Sequence, residues 1–328
     1  MRRDADTSLW GRSLTWVGRH VASIVFVLWG AATLAFVAVR IIPGDPVEVM
    51  LGPQAQISDA AKDQIRAELG LDRPPFEQYV TYLLQLGSGD LGDSYQLRMP
   101  VIDVIGRQLE STVQLTSLAL LLAALIAAAV ALLARGPAGR GIASASELVV
   151  LSTPVFWIGL LLLAVFAFQL GWFPVSGARD PLSLVLPAVT LALPVAALLG
   201  QVLRDGIESA ERLPFATTVR ARGASPMWLT LRHTARHGAS NALTLAAYLI
   251  GSLLGGAVLV ETVFGRPGIG RVTLTAITDR DLPVITGVIL LSAVVFVIVN
   301  LVVDALYPLL DPRLRASRRR ARTREDAA

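Results

Sequence analysis

Cysteine is absent from the 328 residues, which excludes disulfides, thiol catalysis and cysteine-ligated metal. Lysine is almost absent: of 29 basic residues only Lys62 is not arginine. Lys62 follows Ala61, so the G-x-x-x-x-G-K-[ST] phosphate loop cannot form and the chain does not hydrolyse ATP by that route. Histidine occurs three times, at His20, His233 and His237. The last two are spaced i, i+4 on an expected helix, a spacing able to hold zinc, but the nearest upstream acids, Glu208 and Glu211, lie across the Pro214 break. No metal site is therefore expected, and packing at a helix end or interface is the reading for both histidines. No Ser-His-Asp constellation stands out, so no catalytic residue is assigned. Charge is scarce, at 16% of residues against 54% hydrophobic, and mean hydropathy is +0.60. Such a composition marks an integral membrane protein.

Six uncharged runs are present: Val21–Val39, Ser111–Ala134, Leu148–Gly171, Pro181–Leu203, Gly238–Val260 and Leu282–Val303. At about 1.5 Å per helical residue each is long enough for a hydrocarbon core of about 30 Å. None alternates with the period of a barrel strand, so an all-α bundle of six transmembrane helices is expected. Arginine orients it. Segments 1–20, 135–147, 204–237 and 304–328 carry 19 of the 29 basic residues, which places both termini in the cytoplasm. The tail 311–328, with Arg313 to Arg324, is then a topology signal that also attracts anionic lipid. The first run, 21–39, follows a 20-residue basic lead without an A-x-A type cleavage site, so it is read as a retained helix.

Residues 40–110 make the one sizeable extracytoplasmic segment, with eleven acidic residues against six basic. Ser58-Asp59 ahead of Ala60–Leu69, with Gly70 behind, predicts a capped helix. Phe76–Leu86, after Pro74-Pro75, predicts a second amphipathic helix, and Gly87 to Gly92 a turn. Some 70 residues are too few for a separate enzyme domain with a large core. A small helical insert between helices 1 and 2 is expected instead.

The runs contain no Asp, Glu, Lys, Arg or His, and the nearest, Glu261 and Asp304, stand at the ends of runs five and six. Proton- or ion-coupled carriers place such groups at mid-membrane depth, so that mechanism has little support. Gln114, Gln169 and Asn300 are read as helix-to-helix hydrogen bonders. Pro154, Pro187 and Pro194 interrupt runs three and four, while Gly251, Gly255 and Gly256 suggest a close-packing face on run five.

The stretch Arg204–Ala239, within the permease-like core 111–310, carries six arginines against three acids. A loop of that length needs a reason. Ala210–Arg222 reads as a short helix with Gly223 beyond it as a left-handed cap, and Ser225-Pro226 starts another. Two short helices joined at a glycine make a knob able to dock into a cleft; a basic loop lying on lipid headgroups is the other reading.

At these residues the chain resembles a known family. Ala221-Arg222-Gly223-Ala-Ser-Pro226, with His233 ten residues after the glycine, resembles the E-A-A-x-x-x-G loop of ATP-binding-cassette importer permeases, in the dipeptide/oligopeptide/nickel form. Arg40-Ile-Ile-Pro-Gly-Asp-Pro46, Gly89-Asp-Leu-Gly-Asp-Ser94, Pro100-Val101, Glu261-Thr-Val-Phe264, Pro267-Gly-Ile-Gly270, Arg280-Asp-Leu-Pro283-Val284 and Asn300 to Asp304, through Tyr307 to Asp311-Pro-Arg313, resemble the same family in order. Two departures are present: Thr217, Thr218 and Val219 replace Glu-Ala-Ala, and Ser240-Asn241 stands where many relatives have proline.

The resemblance implies the type I importer permease fold and a bacterial or archaeal inner-membrane location. It implies a second homologous permease subunit, two cytoplasmic ATPase subunits that use ATP and magnesium, and an extracytoplasmic binding protein that delivers peptides or similar solutes. Membrane lipid is the other partner; nucleic acid is not one, and no cofactor is expected on this chain. The expected ATPase-coupling residues are Phe215, Ala216, Thr217, Arg220, Ala221, Arg222, Gly223, Ala224 and His233, with Arg220 and Arg222 serving either the ATPase or phospholipid. An ATP-independent channel or secondary carrier is the alternative function, and a membrane enzyme a third class.

Overall fold

The computed structural model describes residues 4–41, 46–51, 58–68, 70–134 and 136–310. The basic tail, Pro43 to Asp45, Asp311 and Arg313 lie outside the described residues, as do the side chains of His20, Asp304 and Tyr307. Among the described residues the chain is helical, with one isolated bridge between Asp93 and Pro100. Five helices are long and apolar enough to cross a membrane, and a bent pair raises the number to six if it counts as one span.

The chain divides into two compact units, Met1–Arg107 with Thr273–Val297, and Gln108–Val272 with Ile298–Ala328. In the first, α1 (Asp4–Ile41) carries the first apolar run, followed by α2 (Pro46–Leu51), α3 (Asp59–Glu68) and α4 (Pro75–Gly87). The helices predicted over 60–69 and 76–86 correspond to α3 and α4. Gly70 takes φ +66° behind α3, and Gly89 and Gly92 turn the chain at φ +82° and +76°. Helix α4 packs on the C-terminal turns of α1: the Thr33 and Tyr79 hydroxyls are 2.7 Å apart, and the Phe36 ring meets Tyr79 at 5.2 Å. The Arg40 guanidinium stands over Phe36 at 4.6 Å and donates to Gln78.

The second unit is organised around α8 (Val185–Glu211). Its span is 61% buried, against 11–28% for the other four. Leu115, Ala119, Ala123 and Ala127 of α5 (Val101–Leu133) and Leu249, Leu253, Ala257 and Val260 of α11 (Ala235–Val263) share one core with it. Pro194 sits inside α8 without ending it, and Pro187 lies in its first turn, where the missing N–H is harmless.

The third apolar run is not one straight helix. α6 (Gly136–Ser152) ends before Pro154, whose ψ of 137° leaves helical space, and α7 (Val155–Leu162) departs at 103° before passing into π-helical turns over Leu163–Gln169. The loop expected over 204–239 is also shorter than its charges suggested, because α8 runs on to Glu211 and α11 begins at Ala235. The intervening residues hold α9 (Pro214–Ala221), α10 (Pro226–Leu229) and π-helical turns over Thr230–Thr234. The single helix expected over 210–222 is broken at Arg212 and Leu213. Beyond α11 follow α12 (Ile269–Thr278) and α13 (Leu282–Leu310).

Of the glycine face expected on run five, Gly256 makes a tight contact within the chain. A Cβ at Gly251 or Gly255 would meet nothing within 4 Å, and one at Gly256 would meet Leu191 at 2.9 Å. The close crossing lies earlier, where a Cβ on Gly206 would collide with the Gly238 backbone and one on Gly238 would stand 2.6 Å from the Leu203 carbonyl oxygen. Gly238→Leu should therefore force α8 and α11 apart and lower stability by about 1–3 kcal/mol or more. Gly251→Ala should hold or slightly raise the midpoint. Thermal unfolding of the purified chain in detergent distinguishes the two outcomes.

Candidate functional site

The segment between α8 and α11 is built by local rules. Pro214 opens α9 at a first-turn position, where its fixed φ suits a helix start. The helix closes on a Schellman pattern: Gly223 N–H donates to Arg220 O at 2.9 Å and Ala224 N–H to Val219 O at 3.4 Å. That closure puts Gly223 at φ +83°. Ser225 then caps α10, accepting from Trp228 N–H at 3.3 Å, with Pro226 in the first turn. The expected glycine stop and serine start are both present.

The nine expected coupling residues separate into two groups. Thr217, Arg220, Ala221, Arg222 and Gly223 are exposed, and a Cβ on Gly223 would meet nothing within 4 Å. Phe215, Ala216, Ala224 and His233 are buried or half-buried. Phe215 stacks on His237 at 5.8 Å and faces His233 at 6.5 Å, while Trp228 reaches His233 at 5.0 Å. The i, i+4 histidines thus grip one aromatic ring and pack the knob onto the base of α11. Among the described residues no cluster of three or more potential metal ligands occurs.

The base of the knob carries ionic contacts that charge counting along the chain missed. Arg204, grouped with the loop arginines above, belongs to α8 and is 6% exposed. Its guanidinium donates to both Glu147 oxygens, at 2.8 and 2.6 Å. Arg140 pairs with Glu208 at 3.0 Å. At the last residue of α8, the Thr230 hydroxyl lies 3.1 Å from the Glu211 carboxylate and 2.9 Å from Pro226 O, one proton facing two acceptors. Arg220 donates to Glu211 O at 3.3 Å and stands 3.7 Å from its carboxylate. A cavity of about 150 Å³ opens beside these groups, lined in part by Arg140, Glu208, Glu211 and Thr230. The sequence signal was the polar spacing i, i+4, i+7 at Arg204, Glu208 and Glu211.

Two further sites join residues from separate strings. In the second unit, buried Glu261 accepts from the Thr112 hydroxyl at 2.6 Å and from Arg271 N–H at 3.2 Å, while Thr112 accepts from Ile269 N–H at 2.8 Å. This satisfies the first turn of α12, whose free amides favour a carboxylate. A Cβ on Gly268 would strike the Glu261 carboxylate and one on Gly270 the Val258 backbone, which is why Pro267-Gly-Ile-Gly270 carries glycine twice. Burial pushes the neighbouring Arg266 guanidinium down, against the pull of Glu261. In the first unit, Asp281 is 2% exposed. It accepts from the Ser94 hydroxyl at 2.5 Å and from the Tyr95 and Gln96 amides at 3.2 and 3.3 Å. Burial, then the Asp281 charge, push the Tyr95 phenol up.

Comparison with known proteins concerns the chain as a whole. The family described as binding-protein-dependent transport system inner membrane component matches residues 112–316, and its N-terminal companion matches residues 14–116. The chain is 34% identical to the di/tripeptide transport system permease protein DppB of Pseudomonas aeruginosa (strain UCBPP-PA14), across 93% of this chain and 100% of that protein. It is 33% identical to the glutathione transport system permease protein GsiC of Escherichia coli (strain K12), across 92% and 99% respectively. Among solved structures, an inward-facing form of the MetNI methionine ABC transporter is similar at a TM-score of 0.52 and 15% identity, over 64% of this chain and 97% of that one. That likeness concerns the fold alone.

Thr112 both donates to Glu261 and accepts from Ile269, so Thr112→Val should remove two buried hydrogen bonds at once and lower stability by about 1–3 kcal/mol. Thr112→Ser should retain most of it. Detergent unfolding midpoints that fail to separate the two variants would contradict this account of the cluster.

Proposed function

The chain belongs to the binding-protein-dependent transport system inner membrane component family, and from that premise we propose that its α9–Gly223–α10 knob receives the motion of separate ATPase subunits. As a permease subunit of an ATP-binding-cassette importer, the chain supplies a pathway and takes its energy from partners. Binding-protein and ATPase partners come with the family. Two ATPases, one second permease and one binding protein make the finer composition we propose.

The observation that carries the reading is the Schellman closure at Gly223, φ +83°, with open space around it. The tip at Arg222 and Gly223 is exposed, Arg220 reaches back to Glu211, and Phe215, Ala216 and His233 anchor the knob. We place this tip, both termini and the tail on the cytoplasmic side, and residues 40–110 on the opposite side facing the binding protein. The relatives named for di/tripeptides and for glutathione, itself a tripeptide, favour short peptides as substrate. A channel or secondary carrier lacks any comparable support.

Because space around Gly223 is open, substitution there acts through backbone conformation. Gly223→Val should cut ATP-driven uptake strongly, since a β-branched residue at positive φ costs about 1–2 kcal/mol, whereas Gly223→Asn should keep most of it. Ala221→Cys, in a chain without other cysteines, should crosslink to a cysteine in the ATPase surface groove. Unchanged uptake in Gly223→Val together with no crosslink from residue 221 would refute the coupling assignment.

A further inference from the structure

The inner ends of α6 and α8 face one another through two polar rows of identical spacing. On α8 these are Arg204, Glu208 and Glu211; on α6 they are Arg140, Ser144 and Glu147. Each row is i, i+4, i+7, so each lies on one side of its helix. The rows pair in opposite directions. Glu208 meets Arg140 at 3.0 Å, and Arg204 meets Ser144 at 3.5 Å and Glu147 at 2.8 and 2.6 Å. Gly200, one turn before Arg204, leaves room for this: a Cβ there would stand 3.2 Å from Glu147 Oε1. Glu211, the last member of the α8 row, turns instead to the knob, where it meets Thr230 and Arg220.

We propose that Arg204, Glu208 and Glu211 are positioning residues that transmit displacement of the knob to α6, the inner arm of the bent span. The proposal rests on the coupling role assigned to the knob. Glu211 fixes the knob to the end of α8, and the two rows fix α8 to α6 in one register. Helix α6 meets α7 at 103° across Pro154, so an arm carried by α8 moves as a lever about that break. A bidentate guanidinium-carboxylate pair has one good geometry. Packed apolar surfaces offer several of similar energy, which is why charge is used here despite its desolvation penalty.

The test uses the complete transporter in proteoliposomes, with ATP hydrolysis and peptide uptake measured together. Replacing a buried ion pair by apolar side chains is often neutral or stabilising, so Glu147→Leu with Arg204→Met should leave assembly and ATP hydrolysis in place. Substrate moved per ATP hydrolysed should nevertheless fall by at least about fivefold, the low end of ordinary coupling energies. Glu211→Ala should lower the same ratio, and Glu211→Gln, whose amide oxygen still accepts from Thr230, should restore most of it. A purely structural role would lower assembly, hydrolysis and uptake together. An unchanged ratio in the double variant overturns the proposal; if that variant fails to assemble, an unchanged ratio in Glu211→Ala does so. Crosslinking from Ala221→Cys in the otherwise native chain separates the two readings. Its absence, with unchanged uptake in Gly223→Val, removes the coupling role itself, while its presence with an unchanged ratio removes only the polar rows.

Discussion

The contact on which the rest of the second unit depends is the crossing of α8 and α11 at Gly206 and Gly238. The backbones approach so closely that neither position accepts a Cβ, and small residues are what permit such approach between membrane helices. The crossing stands just before the end of α8 and just after the start of α11. The chain between them therefore leaves and returns at nearly one place, and the entropy of closing that loop is met at its base. Short helices α9 and α10 then need only pack on each other and on the helix ends. Ala216 and Leu229, at 0% and 1% exposed, form the inside of that packing, and the Phe215 ring between the histidines closes its side.

The same economy governs the family strings. Glu261 is useful because Thr112 and the first amides of α12 meet it, and the glycines at 268 and 270 exist because its carboxylate and the α11 backbone fill the space a side chain would take. Ser94 and Asp281 stand 187 residues apart and share one short hydrogen bond. Strings that look independent along the chain are halves of contacts.

This explains what could be read in the sequence and what could not. Gly223, Ser225 and Pro226 were legible because a Schellman closure and an N-cap are local events with fixed residue preferences. The apolar runs were legible for the same kind of reason, as unbroken absence of charge. Their ends were not, because a run defined by lack of charge stops at Arg204, whereas charged residues are good helix formers and α8 continues to Glu211. Pro154 marked a break, but its 103° angle was hidden, since a proline inside a membrane helix can be accommodated with little change of direction. Of the glycine face, Gly256 meets Leu191 within the chain, while the backbone crossing at Gly238 carried no spacing signal.

Arg204 deserves a different physical reading from the arginines that follow it. Exposed Arg220 and Arg222 lie where solvent screens them, and pairs in such places stabilise a fold by about 0–1 kcal/mol. Arg204 and Glu147, at 6% and 5% exposed, are largely withdrawn from water, and that desolvation offsets much of what their pairing contributes to holding two helices together. What an ion pair supplies better is a single register, because shifting either helix by one turn would strand both charges. A permease that must move as jointed rigid pieces needs register more than it needs stability. In the lever proposed above, the paired rows would hold α6 to α8 as one piece that ends at the 103° bend across Pro154.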